Sequence, residues 1–177
     1  MAQTLKSLLA YLDDLEERAP LQELTARMAD LAIDCTEVAE FLRFSDRGYS
    51  RNLVRAGPWY NALVLCWKNG QRSPIHDHKG SSCGVRVLRG TLTETLFELT
   101  PNGHVKANFS RDLSAGSIIG SEDTDIHQVS NLQLGDADLV TLHVYSPALL
   151  WMGTYSLVDR TRGKEAMFAE FRDAAGI

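Results

Sequence analysis

The sequence predicts a mainly β protein, an antiparallel jelly-roll barrel with an N-terminal helical segment packed on it. Three observations carry this. From about residue 61 the chain breaks into short β-type runs separated by Gly- and Asn-bearing turns, and strands at that spacing close into sandwiches or barrels. Before residue 45 the apolar positions recur every three or four residues, the period of a helix. The 177 residues contain no internal repeat, low-complexity tract or linker, so one domain is expected, with helices over 1–45 and the barrel over 46–177.

Leu5, Leu8, Leu9, Leu12 and Leu15 share one helical face, and Pro20 stops that segment. Leu21, Leu24, Met28 and Leu31 continue the pattern in a second helix. Thr36 is expected to cap a short third one carrying Val38, Phe41 and Leu42. These faces read as core and carry no chemistry. The β runs begin with ALVLCW at 62–67, which ends at Asn69-Gly70. CGVRVLR at 83–89 ends at Gly90, and TLTETLFEL at 91–99 ends at Pro101-Asn102-Gly103. Further runs cover 104–109, 117–120, 125–130 and 138–145, with Gly116, Gly120 and Gly135 between them. EAMFAEFRD at 165–173 fits either a short helix or a covering strand.

Composition narrows the partners. With 18 Lys and Arg against 23 Asp and Glu, the net charge is −5 and the basic residues are scattered. Nucleic acid and anionic membranes both need a basic footprint that this chain lacks. No stretch approaches the roughly 18 consecutive apolar residues of a membrane span. The first residues meet Asp13 and Asp14 too early for a secretory leader. Three cysteines without a CxxC pair cannot form a closed disulfide framework, so a reducing, cytoplasmic setting is expected. The expected state is a monomer acting on small molecules.

Two of only five histidines form His76-Asp77-His78. On a strand, residues two apart point to the same face, so both rings can converge on one ion. Gly70 lies six residues before His76 and Gly90 twelve after His78, and this spacing resembles the first cupin motif. Cys83 stands where that motif has Glu. His127 with Asn131 resembles the second motif, although the Pro-x-Gly that usually precedes its histidine is missing. Any one of these histidines alone reads as an ordinary hydrogen-bonded residue, and His104, in a turn beside Gly103, reads as a surface one. The joint spacing points to metal. Three neutral imidazoles would leave a divalent ion its full charge and open positions, which favours an anionic ligand such as a thiolate. Imidazole itself suits Zn, Cu, Fe and Ni alike.

Thr141, His143 and Tyr145 form a period-two row on the run at 138–145. Alone, such a row also fits a polar strand face turned to solvent. Beside a metal it brings a phenol and an imidazole into hydrogen-bond contact.

These pieces together resemble the cysteine dioxygenase family, cupin-fold thiol dioxygenases with mononuclear non-haem iron. The resemblance runs from Tyr49 to Pro147 in the family's order. It rests on Tyr49-Ser50-Arg51-Asn52, LVLCW at 63–67, Ile75-His76-Asp77-His78, Ser82-Cys83, GTLTETLFE at 90–98, Ile126-His127-Gln128-Val129 and Leu142-His143-Val144-Tyr145-Ser146-Pro147. It implies that His76, His78 and His127 bind Fe(II), that Tyr145 sits beside the metal oriented by His143, and that Arg51 with Tyr49 holds a substrate carboxylate. Cys83 matches the cysteine that, in animal-type members, forms a thioether to the active-site tyrosine. Thr141 stands where the family usually has Ser; it keeps the hydroxyl and adds a methyl.

The implied reaction is oxidation of the thiol of L-cysteine by O2 to cysteine sulfinic acid. A dioxygenase for another thiol, such as 3-mercaptopropionate, is the neighbouring reading, but that branch tends to carry Gln where this chain has Arg51. A non-catalytic metal-binding cupin has little need for Arg51, Tyr145 and Cys83 together. A zinc hydrolase, conceivable from three histidines, leaves the Cys83 and Tyr145 pair unexplained.

Overall fold

The computed structural model describes residues 3–167. Two helices come first, α1 (Leu5–Asp13) and α2 (Leu21–Ala29). Thr4 opens α1 with a reciprocal cap: its Oγ1 accepts from Ser7 N at 3.2 Å, and Ser7 Oγ accepts from Thr4 N at 2.9 Å. A single 3-10 turn, Ala39–Phe41, follows. The capping expected of Thr36 is not seen. Its own N–H and hydroxyl donate to Asp34 Oδ1, so Thr36 is held by a side chain instead of holding one.

Among the described residues nine strands make one antiparallel sheet: β1 (Ser50–Gly57), β2 (Tyr60–Trp67), β3 (Ile75–Arg89), β4 (Thr91–Leu99), β5 (Val105–Ser114), β6 (Ile118–Ser130), β7 (Leu139–Ser146), β8 (Trp151–Tyr155) and β9 (Arg162–Ala166). Their order is β1-β2-β7-β3-β6-β4-β5, with β8 paired to β3 and β9 to β8. The mainly β fold with its N-terminal helices is therefore as expected, with four differences. The strands β1, β8 and β9 were not anticipated. The runs at 117–120 and 125–130 are one strand, β6. The run at 83–89 is the second half of a strand that begins at Ile75, and that at 104–109 continues to Ser114. Of EAMFAEFRD, Glu165 and Ala166 end β9 and Met167 is buried, while 168–173 lie outside the described residues.

The strands β2 and β7 explain how helices and barrel share a core. Both are buried along their whole length. Tyr60, Ala62, Val64 and Cys66, with Val140, Leu142 and Val144, pack against Leu8, Leu12, Leu24 and Met28 of the helices. The intervening Leu63, Leu65, Trp67, Leu139 and Tyr145 face the barrel interior with Val85, Val87, Ile119 and Val129. Strands covered on both faces lose the apolar-polar alternation of a half-exposed strand. That is why ALVLCW reads as a continuous apolar run.

Helix α2 lies across β3 and β6 where Gly84 and Gly120 are paired. A Cβ on Gly84 would meet Met28 Sδ at 2.5 Å, and one on Gly120 would meet Thr25 Cγ2 at 2.9 Å. Both glycines are therefore required by close approach of the helix. Arg86 then donates from Nη1 to the carbonyls of Met28 and Ala29, satisfying the end of α2. Replacing Gly84 by Val should lift α2 off the sheet and cost about 1–3 kcal/mol, the usual penalty for overpacking. Urea denaturation measures it, and an unchanged midpoint would mean that α2 does not press on this pair.

Candidate metal centre

The centre is built on the register of β3 with β6. His76 pairs directly with His127, and the ladder is irregular between His76 and His78. The three rings converge, with centroids 4.7–4.8 Å apart. One ligand atom from each lies within 4.8 Å of the other two. All three side chains are buried.

Each ring uses its Nδ1 on the protein. His76 Nδ1 donates to the Pro74 carbonyl at 2.9 Å, and His127 Nδ1 donates to Glu94 Oε1 at 2.9 Å. Ser121 Oγ lies 3.1 Å from His78 Nδ1. A carbonyl and a carboxylate can only accept, so the Nε2 lone pairs of His76 and His127 are left bare. His127 Nε2 is buried with no hydrogen-bond partner. A buried nitrogen of this kind calls for an electrophile, and the convergence of His76, His78 and His127 around it fits a metal ion.

Beside the histidines lies a narrow cavity whose polar lining includes Tyr49, Arg51, His143 and Tyr145. Leu65, Val85, Val129, Leu149, Met152 and Met167 supply its apolar walls. Arg51, on β1, is buried, and its Nε and Nη2 have no hydrogen-bond partner among the described residues. Its guanidinium carbon stands 5.5 Å from the centre of the Tyr145 ring. Tyr49 stacks on Trp67 at 4.1 Å between centroids.

The row on β7 is a hydrogen-bonded chain whose direction can be followed. Trp67 Nε1, which can only donate, gives its proton to Thr141 Oγ1 at 3.0 Å. Thr141 Oγ1 is 2.9 Å from His143 Nε2, the acceptor left for the hydroxyl proton. His143 Nδ1 then donates to the Tyr145 oxygen at 3.1 Å. The phenol keeps its own proton free to donate. The added methyl of Thr141 has not broken this chain.

Cys83 is fully buried and sits directly across the ladder from Tyr145 on one side and Ser121 on the other. Burial pushes its thiol up to about 12. It is therefore no nucleophile at neutral pH. Asn131, the other residue of the second motif, is structural: its Nδ2 donates to the carbonyls of Trp67 and Ala137. His104 is partly exposed and accepts from Arg160 Nε at 3.3 Å.

Of the nine residues singled out in the sequence, seven line this cavity, Cys83 lies across from Tyr145 and Thr141 bonds His143, and three further residues that the sequence reading passed over stand beside them. Glu94 and Ser121 stand behind metal-facing histidines, and Trp67 starts the β7 chain. Glu94 had a visible signal, because it is a charged residue at the inward position of an alternating strand, between Leu92 and Leu96. Ser121 and Trp67 had none.

A jelly-roll barrel presenting three convergent histidines beside a cationic cavity defines a cupin-type metal enzyme. Among solved structures the barrel is similar to a double-stranded β-helix domain protein from Klebsiella pneumoniae, with TM-score 0.56, 19% identity and coverage of 67% of this chain and 88% of that one. A Thermus thermophilus protein matches with TM-score 0.53 and 17% identity over 63% of this chain and 94% of its own. These show the fold alone. The family model for cysteine dioxygenase type I matches residues 1–157. Human cysteine dioxygenase type 1 is 33% identical over 98% of this chain and 88% of its own length, and the Bos taurus protein 32% over the same shares. The chain belongs to the cysteine dioxygenase type I family, and it is an enzyme. No helix among the described residues is long and apolar enough to cross a membrane.

The histidines also set a pH dependence. Burial, reinforced by the neighbouring His127, holds His76 down to about 3. Burial with nearby positive groups holds His78 and His143 well below the usual imidazole value. All three are neutral at neutral pH, which for His76 and His78 is the form that binds metal. Unfolded, each would take up a proton near 6.5. Below that value the unfolded chain binds more protons than the folded one, so the metal-free protein loses stability as pH falls toward about 3. The unfolding free energy of metal-free protein, measured by urea denaturation, should drop steadily from about pH 7 to 5, by up to ~1.4 kcal/mol per pH unit for each ring. A flat profile would mean that the folded rings take up protons freely.

Proposed function

We propose that the protein oxidises the thiol of L-cysteine with O2 to cysteine sulfinic acid, using Fe(II) held by His76, His78 and His127. Both oxygen atoms end on sulfur, so RSH and O2 give RSO2H with nothing left over. The observation that carries this reading is the buried guanidinium of Arg51, whose Nε and Nη2 have no partner among the described residues, in the same cavity as the three histidines. A substrate that brings a carboxylate for Arg51 and a thiolate for the metal satisfies both.

Iron bound there would supply open positions and one-electron chemistry for joining a thiol to O2. The protein's residues do the rest. Arg51 clamps the carboxylate through Nε and Nη2, donors that no acceptor among the described residues uses. Tyr49, fixed by its stack on Trp67, walls the same end of the cavity. Tyr145, oriented through Trp67, Thr141 and His143, donates its phenolic proton toward oxygen atoms bound in the cavity. The apolar walls exclude water and hold the reactants aligned.

Cys83, opposite Tyr145, is placed for a thioether. Joining its sulfur to a ring carbon removes two hydrogens, one from the thiol and one from the ring, with O2 as the acceptor. After aerobic turnover, a fraction of the molecules should therefore be two hydrogens lighter, with peptides containing Cys83 and Tyr145 linked in mass spectra. Wholly unlinked peptides would leave Cys83 a small buried packing residue.

The main test supplies anaerobically iron-loaded protein with L-cysteine and follows O2 uptake and sulfinate, which should appear in equal amounts. Loss of a charged hydrogen bond costs about 1.5–3 kcal/mol, so Arg51→Ala should lower kcat/KM for cysteine roughly tenfold or more. Turnover of cysteamine, which has no carboxylate, should change much less. Equal losses for both thiols would remove Arg51 from substrate recognition.

A further inference from the structure

The three histidines are not held alike. His76 leans on a backbone carbonyl and His78 on a hydroxyl, whereas His127 donates to a carboxylate. That carboxylate, Glu94, is only 1% exposed. Strand β4 lies between β5 and β6, and its register puts Glu94 opposite Arg111 on β5 and diagonally beside His127 on β6, whose direct partner is Leu96. The two carboxylate oxygens are divided between these neighbours. Oε1 accepts from His127 at 2.9 Å, and Oε2 accepts from Arg111 Nε at 2.8 Å and lies 2.7 Å from Arg111 Nη2. The Arg111 side chain is 42% exposed and reaches solvent beside a cleft of about 320 Å³ lined also by Glu94, Ser121 and His127.

We propose that Glu94 is a positioning residue for the metal centre: anchored by Arg111, it fixes the tautomer of His127 and makes that imidazole the most electron-donating of the three ligands. The inference rests on metal binding by the three-histidine cluster. A buried carboxylate is costly unless fully paired, and here both of its oxygens are committed. Cys83 occupies the position from which a cupin glutamate would offer a negative charge directly. In this chain the carboxylate lies one hydrogen bond further out. A carboxylate behind a ligating imidazole raises that ligand's basicity, and removing such a partner typically costs about 10–100-fold in metal affinity. By the same argument it stabilises the higher oxidation state of a redox-active ion, while Arg111 moderates the effect by sharing the charge.

Glu94→Gln separates charge from shape, because an amide oxygen can still accept the His127 proton. Ferrous iron and Co(II) are titrated into metal-free wild-type, Glu94→Gln and Arg111→Met proteins against a competing chelator, and the ferric/ferrous potential of the iron-loaded forms is measured. Glu94→Gln should bind both ions about 10–100-fold more weakly and raise the potential. Arg111→Met, which leaves the carboxylate unshared, should lower it. Affinities and potential equal to wild type in a folded Glu94→Gln protein would overturn the proposal. If that variant does not fold, an unchanged potential in Arg111→Met overturns it. Wild-type protein that takes Co(II) but not Fe(II) removes the iron reading alone, and the Co(II) affinities still decide the role of Glu94. Wild-type protein that takes neither ion removes both.

Discussion

The chemistry of this molecule depends on one strand being hydrogen-bonded on both edges. On one edge β3 meets β6, which brings His127 against His76. On the other it meets β7, which brings Tyr145 against Cys83. A slip of one residue in either ladder would turn the facing side chains to the opposite side of the sheet. The metal cluster and the phenol would then part company. The two paired glycines, Gly84 and Gly120, lie on the same stretch, so the helix that presses on them bears on the register that the site requires.

The charge arrangement inside the barrel is one-sided. The three metal-facing rings bring no negative charge, Tyr145 and Cys83 keep their protons, and Glu94 spends its charge on Arg111 and His127. Among the described residues Arg51 is left as a cation without a carboxylate partner in a narrow cavity, next to a place for a second one. A buried charge without a partner is expensive. In the proposed reaction that cost is offset by the substrate's anionic groups, so charge alone would favour negative ligands before any finer contact is made.

Much of the site was legible because it lies in period-two strands. His76 with His78, and Thr141 with His143 and Tyr145, needed only the rule that alternate residues share a face. Tyr49 and Arg51 were visible only through resemblance, since SRNLVRAG has no clean alternation and β1 was not anticipated as a strand. Glycine misled in one place. Gly120 reads as a break between two runs, yet it lies inside β6, where a side chain would collide with α2. The short β8 and β9 have too little pattern to stand out. Glu94 was in plain view, but its meaning depends on Arg111 and His127, seventeen and thirty-three residues away, on strands whose neighbours the sequence does not name.

The double-faced burial of β2 and β7 has a kinetic side. Their ladder joins Asn61 to Tyr145, across most of the barrel, and pairings of such sequence separation form slowly. Until β7 is made and docked, β2 is a run of apolar residues with an open edge, the kind of segment that aggregates. The helices that cover one of its faces precede it in the chain and leave the ribosome first. The N-terminal helices thus cover one face of β2 while its partner strand is not yet synthesised.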